Sequence, residues 1–233
     1  MACGSDIVSG RKKVAIVEKD ITAGTCTNYG CTAKFLLDSP FEFIDGLSRY
    51  DKAGITGNTK VNWQELMAYK KSEIPTYAPL MEGMFAQMQI DLLKGYGKLV
   101  DAHTVSVDDD RISADYIVLG TGQRPARLQI KGQEFLHDSC DFLDLDKMPK
   151  HITFIGAGII SMEFTTMSAK LGSEVHIIEY ADRALVAYQE NYIDSVVAKM
   201  TAEGVYFHFK QAVQVVEETT AGLRVTTAQS LEL

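Results

Sequence analysis

The 233 residues are 46% hydrophobic and 23% charged, a balance that suits one or two globular domains with substantial cores. A formal net charge of −8 without a basic run argues against nucleic acid or an anionic membrane as the main partner, and no apolar stretch is long enough to span a bilayer. Met1 to Asp20 lacks a signal-peptide core, so the expected location is cytoplasmic, where four cysteines fit a catalytic pair better than structural staples.

In chain order, Lys13-Val-Ala-Ile-Val17 reads as an apolar strand ending in an acid, Glu18. Next comes Gly24-Thr25-Cys26-Thr27-Asn28-Tyr29-Gly30-Cys31-Thr32-Ala33-Lys34, two cysteines four residues apart. On a regular helix such positions lie about 9 Å apart, whereas a disulfide needs Cα atoms at roughly 4.4–6.8 Å. A bridge therefore requires an irregular turn, for which Asn28 and Gly30 supply tolerance of unusual backbone angles, with Ala33 to Leu37 starting a helix. A thiolate at that helix start would be stabilised and its pKa lowered. Taken alone, such a spacing is more often a coincidence, a pair of buried thiols or half a metal site than a redox centre. Cys3 and Cys140 show no matching ligand spacing, so no zinc site, and no metal at all, is expected.

Helical apolar spacing follows over Phe41 to Arg49 and over Gln64 to Leu93, the second segment broken at Pro75 or Pro79. Trp63 reads as a packing residue, and Met81, Met84 and Met88 as core or interface filler. Alternation from Lys98 to Leu119 around Asp108-Asp109-Asp110 predicts a hairpin leading into a buried strand. The domain boundary is placed at Met148-Pro149-Lys150, giving a first domain over 1–148 and a second over 149–233.

The second domain opens with a short buried strand, Ile152-Thr-Phe-Ile155, running into Gly156-Ala157-Gly158-Ile159-Ile160-Ser161-Met162-Glu163 and a helix that ends at Leu171-Gly172. This is a Rossmann turn: the first glycine permits the bend, the second admits a pyrophosphate, and Ser161 is the small residue at the third position. The strand Val175-His-Ile-Ile178 then ends in Glu179, roughly the 20 residues on at which an acid binds a ribose 2′-hydroxyl. Lys13 to Asp20 echoes Glu174 to Asp182, so two nucleotide-binding halves are expected.

Together the acid-ended strand, G-T-C-x-N-x-G-C-x-x-K, the later Thr121-Gly122-x-x-Pro125 and G-x-G-x-x-S-M-E resemble the class I pyridine nucleotide-disulfide oxidoreductases, which include glutathione reductase and dihydrolipoamide dehydrogenase, with the glutathione reductase branch the better fit. The resemblance covers nearly the whole chain. It implies an α/β fold of two Rossmann-like nucleotide-binding domains, one for FAD and one for NAD(P), the first lacking its initial strand and glycine loop. Tyr116 to Pro125 resembles the strand and turn that close the flavin domain, and Gly95 to Val100 the segment near the flavin adenine. By the same resemblance Glu18, Gly24, Thr25, Gly97, Thr121 and Gly122 would hold FAD, and Gly156, Gly158, Ile159, Glu179 and Arg183 the nicotinamide dinucleotide.

The mechanism implied is hydride transfer from NAD(P)H to FAD, then opening of a Cys26–Cys31 disulfide, with Cys31 against the flavin and Cys26 as the interchange thiol. Lys34 would pair with Glu163 beside the flavin and stabilise negative charge on it. Glu179 favours NADH over NADPH, whereas Arg183 is near enough in sequence to reach a 2′-phosphate. The implied substrate is a small-molecule disulfide, of which a glutathione-like one fits best. Lipoamide reductases place the lysine one residue further on, and mercuric ion would call for cysteines near the C-terminus. The family's His-Glu acid–base pair comes from the partner subunit of a homodimer, and none of His103, His137, His151, His176 or His208 sits in that motif. The residues before Lys13 are too few for a first strand and glycine turn. The expectation is therefore that this sequence is part of a longer active enzyme; the alternative is a truncated or degenerate, non-catalytic nucleotide-binding or redox-sensing module.

Overall fold

A computed structural model describes residues 12–55, 57 and 59–233; Cys3 lies outside the described residues. The chain divides into two compact units, one made of the residues up to Leu36 with Ala68–Arg124, the other of Leu37–Met67 with Pro125–Leu233. In chain order the elements are β1 (Val14–Glu18), α1 (Gly24–Asn28), α2 (Cys31–Ser48), α3 (Trp63–Gln87), β2 (Ile90–Lys94), β3 (Gly97–Leu99), β4 (Thr104–Val107) and β5 (Asp110–Ser113). Then come α4 (Ser139–Leu143), β6 (His151–Ile155), α5 (Ile159–Lys170), β7 (Glu174–Ile178), α6 (Glu190–Ala202), β8 (Tyr206–His208), β9 (Val213–Thr219) and β10 (Gly222–Thr227).

In the first unit β1 pairs in parallel with β2, Val14 opposite Ile90 through Glu18 opposite Lys94. A parallel pair needs a long crossover, which α1, α2 and α3 provide. The antiparallel sheet β3–β4–β5 follows, with the β4–β5 hairpin turning at Asp108, which takes φ +49°. That is the expected hairpin at the aspartates, extended by β3.

Two elements depart from the sequence reading. α3 runs unbroken through Pro75 and Pro79, and the segment ends as a helix at Gln87, with Gln89 at φ +56° turning the chain into β2. Ile90, Leu92 and Leu93 are therefore strand residues; a short apolar run carries too little periodicity to separate the two states. The strand expected from Tyr116 to Leu119 does not form, and Tyr116, Val118 and Leu119 are largely exposed. A buried parallel strand draws its stability from hydrogen-bonded neighbours, and this segment has none among the described residues. Of the three methionines none is in the core: Met81 and Met88 are half-buried and Met84 is exposed.

In the second unit β6, β7 and β8 form a parallel sheet in the order β6–β7–β8. Alternation along β7 sends Val175 and Ile177 into one core with Met162 of α5, Ile193 and Met200 of α6, and Val205. Ile178 packs in a second core with Val216 and Val225 of the β9–β10 hairpin. Trp63 is a packing residue as read: its ring meets Phe142 edge-on at 6.2 Å and its Nε1 donates to Leu145 O. Asp138 and Asp141 form a reciprocal capping box at the start of α4.

Across β6, β7 and β8 runs a polar row. His151 and His176 flank the Glu174 carboxylate at 3.6 and 3.1 Å, and His176 Nδ1 lies 2.9 Å from His208 Nε2. Desolvation, followed by repulsion from His176, pushes the His208 pKa below its ordinary value. The sign follows: below about pH 6.5 the unfolded chain binds a proton at this residue that the folded chain resists. Folding stability contributed here is present at neutral pH and lost as pH falls through the depressed pKa. Melting temperature is expected to drop between about pH 7 and 5, and His208→Gln to remove part of that slope; an unchanged slope would contradict the assignment.

Candidate redox and nucleotide-binding site

The cysteines sit where one helix stops and another starts. Cys26 lies in the five-residue α1, Cys31 is the first residue of α2, and both are exposed thiols. The interruption at Tyr29-Gly30 brings the sulfurs into hydrogen-bond reach of each other, and the Cys31 N–H donates to the Cys26 sulfur. Gly30 is required for close approach: a Cβ there would lie 3.0 Å from Thr25 O and 3.5 Å from Cys26 Cα. The unusual backbone angles fall elsewhere than expected, at Ala23 (φ +81°) and Gly24 (φ +63°), while Asn28 is helical.

The expected lowering of the thiol pKa does not hold for Cys26. Its hydrogen bond to the Cys31 sulfur is the main cause holding the Cys26 proton on; desolvation and repulsion by Cys31 add to it, and the Cys31 N–H opposes them. The helix start is at work, but a second sulfur at short range outweighs it. Cys140, half-buried behind Asp138, has a thiol raised chiefly by burial. Among the described residues no cluster of histidine, cysteine and carboxylate side chains could hold a metal.

Around the cysteines, the first unit gathers several of the residues assigned to FAD at the carboxyl end of β1. Glu18 ends the strand half-buried, its carboxylate accepting from Asp20 N and its carbonyl from Gly95 N. Gly97 passes close over β1, where a Cβ would meet Val17 at 3.1 Å. Gly122, at φ +75°, faces Thr25, whose Oγ1 would be 4.0 Å from an added Cβ; Thr121 beside it is exposed. A half-buried acid at a strand end, exposed hydroxyls and glycines suit a flavin dinucleotide, whose class binds outside the carboxyl ends of such strands.

In the second unit β6 runs through Gly156 into α5. Gly156 takes φ +95° and its N–H continues the sheet to Ile178 O. Gly158 is the N-cap of α5 and offers no side-chain cap, and a Cβ at Gly156 or Gly158 would meet nothing within 4 Å. Open space before uncapped N–H groups suits a pyrophosphate. Ile159, the first residue of α5, is half exposed. Glu179 is 8% exposed and braces the turn itself: Oε2 accepts from Ala157 N at 2.7 Å and Oε1 from Ala181 N at 2.8 Å. Each oxygen keeps a lone pair for a ribose hydroxyl. Arg183 folds onto its own loop, donating to Val186 O and Tyr188 O. Lys34 lies on the first turn of α2 in the first unit and Glu163 on α5 in the second. The bracing by Glu179 was not legible from its position, which signalled only ribose.

A parallel sheet with a glycine turn at its strand ends, together with two thiols at a helix start, defines a nucleotide-binding redox protein. The sequence model of one family, pyridine nucleotide-disulphide oxidoreductase, matches residues 1–233, and the chain belongs to that family. It is 30% identical over 229 residues to a glutathione reductase of Nostoc sp., covering 97% of this chain and 50% of that protein. It is 28% identical to dihydrolipoyl dehydrogenase 2 of Haloarcula marismortui, covering 94% and 48%. The fold resembles that of the HOCl-induced flavoprotein disulfide reductase RclA from Escherichia coli, with a TM-score of 0.80 at 21% identity over 98% of this chain and 50% of that one. The chain spans about half the length of the curated relatives it matches. FAD and NAD(P)H are the cofactors of this family.

Proposed function

We propose that the chain is the electron-entry part of a FAD-dependent NAD(P)H:disulfide oxidoreductase that reduces a small glutathione-like disulfide as a cytoplasmic homodimer. Residues 1–148 form its flavin side and 149–233 its nicotinamide side. The observation that carries this reading is the sulfur pair, Cys26 and Cys31, within hydrogen-bond reach at the start of α2. Bound FAD supplies the means of passing two electrons from the nicotinamide to the Cys26–Cys31 disulfide. Cys26, on the short exposed helix, attacks the substrate disulfide; Cys31 then displaces the substrate thiol from Cys26 and re-forms the internal disulfide. Because the Cys26 proton is held by Cys31, removal of that proton accompanies attack. Lys34 and Glu163 complete the catalytic set, Lys34 as the cation that would stabilise negative charge on the reduced flavin.

Glu18, Gly24, Thr25, Gly97, Thr121 and Gly122 line the FAD, and Gly156, Gly158, Ile159 and Glu179 the nicotinamide dinucleotide. Two observations support NADH as the preferred donor: the Glu179 carboxylate stands at the strand end, and Arg183 is tied to its own loop. Glu179→Gln leaves one buried N–H facing an amide NH₂, so it is expected to cost about 1–3 kcal/mol of stability. It should also weaken NADH binding about tenfold, read by fluorescence titration. Binding equal to wild type would remove Glu179 from the site. The function itself is tested by turnover: sustained NAD(P)H oxidation with glutathione disulfide by the FAD-loaded protein is expected, whereas thiol oxidation that stops at one equivalent would overturn it in favour of a redox sensor.

A further inference from the structure

Between the cysteines lies a side chain that the mechanism above does not use. Asn28 ends α1, is 5% exposed, and turns its amide back along the helix. Nδ2 donates to Gly24 O at 2.9 Å and to Thr22 O at 3.1 Å, so both amide hydrogens are spent on the entry to α1. That entry is the strained part of the loop, with Ala23 and Gly24 in succession in the left-handed region and no side-chain cap on the helix. A five-residue helix has almost no stability of its own. Asn28 Oδ1, meanwhile, is buried with no hydrogen-bond partner. Flipping the amide would aim that oxygen at two carbonyls, so the orientation is fixed by its surroundings. Burying an unpaired acceptor is unfavourable; two backbone carbonyls held in place are what the side chain provides in return.

We infer that Asn28 is a positioning residue for the cysteine pair: its amide clamps Thr22 and Gly24, keeps α1 helical, and thereby holds Cys26 over the start of α2 within reach of Cys31. This rests on the reading of Cys26 and Cys31 as the redox pair. The quantity it sets is the effective concentration of one thiol at the other, which governs the exchange of two protein thiols and glutathione disulfide for the internal disulfide and two glutathione thiols. Two electrons and two protons pass to glutathione in that exchange.

The test measures this equilibrium constant in glutathione buffers, by alkylation and mass spectrometry, alongside the melting temperature. Asn28→Ala is expected to lower the constant at least tenfold. Thr22→Val serves as the control, because it removes the Thr22 hydroxyl bonds to Glu82 and Lys94 but leaves the Thr22 carbonyl to Asn28. It should lower the melting temperature and leave the constant within twofold. Asn28→Ser keeps a donor that can reach Gly24 O; it should fall between, at least threefold below wild type, and carries the test if the alanine variant does not fold. Constants for the folded Asn28 variants no lower than that of Thr22→Val would overturn the inference. A wild-type protein that forms no Cys26–Cys31 disulfide at any glutathione ratio would instead overturn the functional reading.

Discussion

Replacing Cys31 by Ala in the FAD-loaded protein should reduce disulfide turnover by on the order of 10³-fold or more, about 4 kcal/mol in the barrier, with NADH binding unchanged. Exchange needs two sulfurs, because a mixed disulfide on Cys26 loses the thiol placed within reach to resolve it once Cys31 is gone. The nucleotide turn is built entirely within the second unit, from Gly156 and Gly158 just after β6 and Glu179 just after β7, and does not depend on this residue. The same variant carries an electrostatic signature. Cys31 is the main cause of the raised Cys26 pKa, through its sulfur as hydrogen-bond acceptor, while its N–H acts in the opposite sense. Removing the sulfur and keeping the N–H should shift the pH profile of Cys26 alkylation to lower pH. A profile that stays in place or moves upward would contradict the geometry of the pair.

The largest effect on folding is expected at Gly132. The residue takes φ +82°, and an added Cβ would lie only 1.8 Å from the Val216 carbonyl oxygen, a backbone atom that cannot swing aside. It lies flat against β9 because its neighbour Lys131 bridges Val215, with Val216 N donating to Lys131 O and the Lys131 ammonium on Glu217 at 2.7 Å. Gly132→Ala must therefore break this bridge or strain it, at an expected cost of about 3 kcal/mol or more. The loss should reach the nucleotide turn, since Val216 packs with Ile178, whose carbonyl accepts from Gly156 N. Chemical denaturation and NADH titration of the variant check both effects together; wild-type stability would show that the close approach at Gly132 is not part of the native fold.

Gly132 also marks a limit of what the sequence displays. Nothing around Gln129-Ile-Lys-Gly132 announces a contact with a strand more than eighty residues away, because the reason for that glycine is another segment's backbone. The Rossmann half was legible for the opposite reason: strand, glycine turn, helix and acid-ended strand are local and adjacent, so periodicity and spacing suffice. β1, β6, α5 and β7 fall where the apolar patterns place them. Reading failed where a neighbour decides the outcome. Tyr116 to Leu119 has the composition of a buried strand but no partner among the described residues, and Ile90 to Leu93 satisfies helix and strand spacing alike until β1 pairs with it. At the cysteines the irregular turn was foreseeable, whereas its construction was not. Asn28 acts through its amide rather than its backbone angle, and Gly30 through lack of bulk rather than φ. The Cys26 proton depends on a sulfur five residues on, a distance that spacing alone leaves undetermined.

If Cys26 and Cys31 form the disulfide that receives electrons from the nicotinamide, differential alkylation with peptide mass spectrometry before and after anaerobic NADH addition to the FAD-loaded protein will register it. Cys26 and Cys31 are expected to be protected together as one disulfide in the oxidised protein and both to be alkylated after NADH, with Cys140 alkylated equally in the two samples. Protection of Cys26 and Cys31 that NADH does not relieve, or free thiols at both positions from the outset under oxidising conditions, would contradict it.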